Sequence, residues 1–128
     1  MYDHRTSIKY LEHRFPHLAE DFHDETWDGV LYVQITVVFA HWAQAVIDSG
    51  DSRIWAQITD AFIEMWKDCS PDVRNALEVS FLEHLYLKDR KRKRGQQNYR
   101  SWAYKAMPPM MRQAKEDIDD YNKKLHGG

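Results

Sequence analysis

One cysteine, Cys69, is all that 128 residues contain, which excludes an intramolecular disulfide and the multi-cysteine zinc patterns. A reducing, cytoplasmic compartment is therefore the expected one. No unbroken apolar run approaches the roughly 18 residues needed to cross a bilayer, and Met1-Tyr2-Asp3-His4-Arg5-Thr6 lacks the basic-then-apolar order of an export signal. Established catalytic motifs are missing too. There is no His-Glu-x-x-His, and no serine or cysteine stands in a recognisable nucleophile setting. The expectation is a protein that is not an enzyme, needs no cofactor and holds no metal.

What is present is enough apolar material for one domain, since a chain of this length buries roughly two thirds of the surface its unfolded form exposes. Charge is segregated along it. Residues 1–85 carry six Lys or Arg against fifteen Asp or Glu, whereas residues 86–128 carry twelve against five. The chain is a dipole in sequence, and whether it is one in space depends on how its helices pack.

The clearest local signal is Ser70-Pro71-Asp72-Val73. Serine can accept from the unpaired amides of a first helical turn, proline tolerates the first helical position, and the aspartate favours the positive end of the helix dipole. Behind it Val73, Leu77, Phe81 and Leu85 form one apolar stripe, flanked by Ala76, Val79, Leu82 and Tyr86. A second helix is read from Ile54, Trp55, Ile58, Ala61, Phe62, Met65 and Trp66, with Asp51 or Ser52 as its cap and Gly50 as a left-handed stop before it. The run from Val30 to Phe39 is rich in β-branched and aromatic residues that suit a strand. Its apolar character continues through Ile47, too far for a strand in so small a domain, and a buried helix over about Asp28 to Asp48 is predicted. The corners at Ser49 and Ser70 are brief, so the three central helices should run antiparallel, like a short α-solenoid.

Short helices are expected over Asp3 to Arg14 and Pro16 to Glu25 and over Gln96 to Met107, where Pro108-Pro109 makes a break before a last helix reaching about Leu125. The whole reads as a single all-α domain over 1–128. Its parts are short amino-terminal helices in 1–27, a three-helix core in 28–88, a basic loop in 88–97 and carboxy-terminal helices in 97–128.

The order of a Gly-Asp corner, an aromatic helix, Asp72-Val73-Arg74-Asn75-Ala76-Leu77 leading into Phe81-Leu82-Glu83-His84-Leu85, a basic loop and Trp102 through Met107-Pro108 resembles small all-helical bacterial immunity-type proteins. Those are encoded beside polymorphic or secreted toxins, and the likeness covers about Gly29 to Met111. It implies a protein without chemistry of its own that binds a cognate toxin domain tightly and occludes its active site. The resemblance also singles out Glu83 as a structural carboxylate, paired with a nearby base to lock helix packing. The long basic loop departs from that pattern.

Two surfaces compete for the partner. Asp21, Asp24, Glu25, Asp28, Asp51 and Asp60 supply carboxylates around the aromatic anchor Trp27, suited to a basic toxin surface such as a nuclease's phosphate-binding cleft; equally, Trp27 could staple the entry of the long helix while the acids favour that helix's amino end. The alternative is a nucleic-acid-associated module using Arg90, Lys91, Arg92, Lys93, Arg94 and Arg100 on phosphates, with Tyr99 or Trp102 stacking on an unpaired base. A solvated connection between helices is the plainer account of that basic run. His4, His13, His17 and His23 lie near Asp21, Asp24 and Glu25, which are zinc-binding residue types. Pro16 separates His13 from His17, however, and exposed histidines on a polar arm are expected instead. His41 and His84 sit on apolar helices, where a hydrogen-bonded core histidine is the ordinary outcome. Trp42, Trp55, Trp66 and Trp102 are assigned to the core, and Cys69 is read as a small packed apolar group.

Overall fold

Ser70 does cap a helix: its Oγ accepts from the Val73 amide at 3.3 Å, with Pro71 at the first helical position. The computed structural model, which describes residues 1–89 and 98–125, contains seven helices among those residues. We label them α1 (His4–Arg14), α2 (Ala19–Phe22, entered through a 3-10 turn at Pro16–Leu18), α3 (31–49), α4 (Ser52–Lys67), α5 (71–84), α6 (Arg100–Ala106) and α7 (Pro109–Leu125). The fold is all-α. The described residues form no strand, and one isolated parallel bridge joins Tyr2 to Cys69.

The β-branched run is helical, as its length requires, but the helix is not a uniform one. Within α3 the segment Gln34–Ala40 has π-type bonding, and within α5 so does Leu77–Phe81, which is followed by a 3-10 turn at Leu82–His84. These two widened segments pack against each other, and the rings of Phe39 and Phe81 stack there at 4.4 Å and 11°. Aromatic contact then runs on in both directions. Phe15 lies against Phe39 at 6.1 Å, Phe62 against Phe81 at 5.8 Å, and Trp66 against Phe62 at 5.2 Å. One row of rings thus ties α3, α4 and α5 to the chain that follows α1.

The corners are the brief ones the sequence foretells. Gly50 takes φ +74° as the left-handed stop of α3, and Asp51 caps α4 by accepting from the Ile54 amide at 3.1 Å. Short corners between long helices give the antiparallel stack. At the second corner the chain's start is stitched in: the Tyr2 amide donates to the Asp68 carbonyl at 2.9 Å, and the Ser70 amide to the Tyr2 carbonyl at 2.8 Å. Cys69 sits half-buried beside this seam, and burial pushes its thiol above the ordinary range. That environment suits packing rather than nucleophilic attack.

Several buried polar groups are met across the helices, although Arg112 Nε is buried with no hydrogen-bond partner among the described residues. Gln34 donates from Nε2 to the Phe22 carbonyl and accepts on Oε1 from His4 Nε2, each at 2.9 Å, tying α1 and α2 to α3. Because an amide oxygen can only accept, His4 carries its proton on Nε2. Trp55, fully buried in α4, donates its indole N–H to the Ala103 carbonyl at 3.0 Å. That carbonyl lies in the last turn of α6, where no intrahelical donor follows.

Candidate functional site

The acidic segment between α2 and α3 is a built turn rather than a loose loop. Asp24 accepts from the Thr26 amide at 2.9 Å through its side chain, and from the Trp27 and Asp28 amides at 3.0 and 2.9 Å through its carbonyl. The backbone bond from Thr26 holds the Asp24 carboxyl below its usual range. Trp27 is half-buried, packs on the core and donates its indole N–H back to the Asp21 carbonyl at 2.7 Å. Gly29 closes the turn at φ +81°, a conformation that L side chains rarely adopt. On this frame the side chains of Asp21, Asp24, Glu25 and Asp28 are all exposed.

The structure therefore brings four of the six expected carboxylates onto one turn with Trp27. Asp51 and Asp60 stand elsewhere, both exposed on or beside α4, and Asp51 is committed to capping that helix. His23 belongs to the same turn, and its pairing with two carboxylates is not among the contacts expected from the sequence. Its Nδ1 lies 2.8 Å from Asp28 Oδ1 and its Nε2 is in direct contact with Glu12 Oε1 of α1. No spacing rule links residues eleven and five apart through a change of direction, so the sequence carried no signal for this contact. Among the described residues no three His, Cys, Asp or Glu side chains converge on a site for a metal ion. His4 is engaged by Gln34, and His17 packs edge-on against Trp42 at 4.7 Å.

Of the basic alternative's described residues, Arg100 is engaged inside the protein and Tyr99 is half-buried, while Trp102 is exposed. Arg100 is 8% exposed and holds Asp48 with two bonds, from Nε at 2.8 Å and from Nη2 at 3.0 Å. Its fork is spent inside the protein, and a phosphate could reach it only by displacing Asp48. Tyr99 is half-buried with its ring against Gly50. Arg90, Lys91, Arg92, Lys93 and Arg94 lie outside the described residues. On the near side of the loop, Asp89 accepts from the Ser101 amide at 3.0 Å, a bond that holds its carboxyl below the usual range.

Other expectations are corrected by exposure. Trp102 is 37% exposed rather than core, because α6 is two turns long and buries the opposite face through Ala103. His41 and His84 are both exposed, on the outer faces of α3 and α5. Glu83 is exposed and makes no ion pair among the described residues, so it locks no packing there.

Two grooves flank α7. The first, about 690 Å³, lies between residues 83–88, α6 and α7, with Tyr86, Arg100, Tyr104 and Lys115 on its walls. Both of its most buried cations are occupied, Arg100 by Asp48 and Lys115 by Asp119 at 2.9 Å. The second, about 750 Å³, lies between α5 and α7, where the Arg74 guanidinium stacks 3.5 Å from the Trp66 ring centre. Among the described residues, neither groove is lined by a histidine, serine or cysteine.

Comparison with known proteins places the chain by family. It belongs to DUF7674, a domain of unknown function, whose family profile matches residues 8–123. No curated protein and no solved structure matches it.

Proposed function

We propose that this member of DUF7674 is an immunity-type protein, neutralising a cognate bacterial toxin by stoichiometric binding and occlusion of the toxin's active site. The observation that carries the reading is the acidic turn 21–28. Four exposed carboxylates are presented by a backbone that is already hydrogen-bonded in place, with Trp27 fastened at its centre. A surface fixed before binding loses little conformational entropy when it docks. Its charge would steer it to a cationic cleft, and aromatic contact at the centre would slow escape. The resemblance to immunity-type proteins agrees with this reading. The fold supplies a stiff base through its row of stacked rings.

The test is direct. If a large secreted protein with a variable carboxy-terminal domain is encoded directly upstream, the chain is co-expressed with that domain, and the pair is purified through a tag on the domain alone. A one-to-one complex that abolishes the toxin's activity is the expected result; free toxin retaining full activity in the presence of excess chain would refute the reading. Nucleic-acid association through residues 90–94 remains the competing class. Replacing Arg92, Lys93 and Arg94 by serine should abolish retention on nucleic acid only if that class is correct.

A further inference from the structure

His23 ends α2 with a carboxylate at each ring nitrogen, Asp28 at Nδ1 and Glu12 at Nε2. Neutral imidazole has one N–H and one lone pair, so it can donate to one ionised carboxylate and must turn a lone pair toward the other. With both carboxylates ionised, only the imidazolium satisfies the two contacts together.

We propose that Glu12, His23 and Asp28 form a proton-operated latch, which fastens the far end of the acidic turn to α1 and releases it when His23 loses its proton. The latch regulates the surface assigned above to a basic partner. It rests on that assignment for its biological consequence and not for its chemistry.

The charges that face the imidazole are Glu12 from α1 and Asp28 from the turn. The hydrogen bond to Asp28 and then that to Glu12 raise the His23 pKa above the ordinary 6.5, against a smaller opposing effect of burial. A raised folded-state pKa fixes the sign. The latch contributes fully below pH 6.5, and its contribution is lost as pH rises through the higher, folded value. Release acts on one end of the turn only. The Trp27 bond to Asp21 and the bonds that Asp24 accepts from the Thr26 and Trp27 amides do not involve His23, so residues 21–27 stay in place, whereas the bond from the Asp28 amide to the Asp24 carbonyl lies at the end that is freed. Neutral His23 can still donate to one of the two carboxylates, so the other is then free to meet an incoming cation, and the surface is one unit more negative. The device thus holds back part of the docking charge under mildly acidic conditions and offers it at higher pH.

Nuclear magnetic resonance on the full chain tests this without any partner. The carbon-bound ring protons of His23 give its pKa, and amide exchange of residues 24–28, corrected for intrinsic rate at each pH, gives the closure of the turn. We expect a pKa above that of an exposed histidine, lowered by Glu12→Gln and by Asp28→Asn and lowered further by both. Protection at residue 28 should fall across the same pH interval, and in His23→Gln it should be low at every pH. A wild-type pKa at or below the ordinary value overturns the proposal, as does one that neither variant moves, or protection at residue 28 that ignores it. Because no toxin is present, failure here leaves the binding reading standing. A titrating latch on a chain that inhibits nothing would sink that reading alone.

Discussion

The ring of Tyr99 lies directly over Gly50, so close that a Cβ added to the glycine would stand 2.7 Å from the ring's Cζ. Gly50 also takes φ +74°, where a side chain costs about 1–2 kcal/mol by itself. Gly50→Ala should therefore destabilise the chain through two separable effects. Urea unfolding should show the backbone cost of about 1–2 kcal/mol surviving in a Tyr99→Ser background, while the ring displacement disappears there. Equal losses in both backgrounds would mean that Tyr99 yields freely and does not anchor the start of α6.

Asp48 and Arg100 join the end of α3 to the beginning of α6 through a fork held on both carboxylate oxygens. Arg100 is nearly buried while Asp48 is about a quarter exposed, so the pair is only partly desolvated. Removing one charge should then cost about 2–3 kcal/mol, less than the 3–5 kcal/mol typical of a fully buried pair. Arg100→Lys should rescue little, since an ammonium cannot reproduce the two-pronged geometry. Thermal unfolding of Arg100→Met and Arg100→Lys checks both statements, and lysine restoring wild-type stability would contradict the second.

Trp55 reaches from α4 to satisfy the Ala103 carbonyl in the last turn of α6. Trp55→Phe keeps most of the ring's packing and removes the donor, leaving a buried acceptor unmet at a cost of about 1–3 kcal/mol. The loss should be local. Amides of α6 should exchange faster in the variant while those of α3 keep their protection, which hydrogen exchange read by mass spectrometry would resolve.

How much of this was legible in the sequence depends on how local each feature is. Ser70, Pro71, Gly50 and Asp51 act within one turn of themselves, and the structure uses all four as their residue types require. The Val30–Phe39 run was settled by length. Its π-type bonding was not legible, because hydrophobic period does not report which carbonyl an amide chooses. Tyr99 and Arg100 were grouped with the basic run beside them, yet one lies on Gly50 and the other belongs to Asp48, about fifty residues earlier in the chain. His23 was weighed as a zinc ligand, and its real partners came into reach only through the turn between α2 and α3. Long-range polar pairing is set by packing, which no spacing pattern encodes.

Charge and fold can be separated on the acidic turn. Asp21 and Glu25 are exposed and their carboxylates accept no hydrogen bond among the described residues, whereas Asp24 and Asp28 are tied to Thr26 and His23. Asp21→Asn with Glu25→Gln therefore removes two negative charges and leaves the turn's bonding intact, so stability should stay within about 0.5 kcal/mol of wild type. Association with the cognate toxin should slow by about tenfold at low salt, and the difference should shrink as salt is added, because steering is screened beyond roughly 10 Å at 0.1 M. Dissociation should be nearly unchanged, in contrast to Trp27→Ala, which removes the central ring and should speed it. Stopped-flow association measured across salt concentrations distinguishes the two effects. If the double variant associates as fast as wild type at every salt concentration, the docking surface lies elsewhere on the stack.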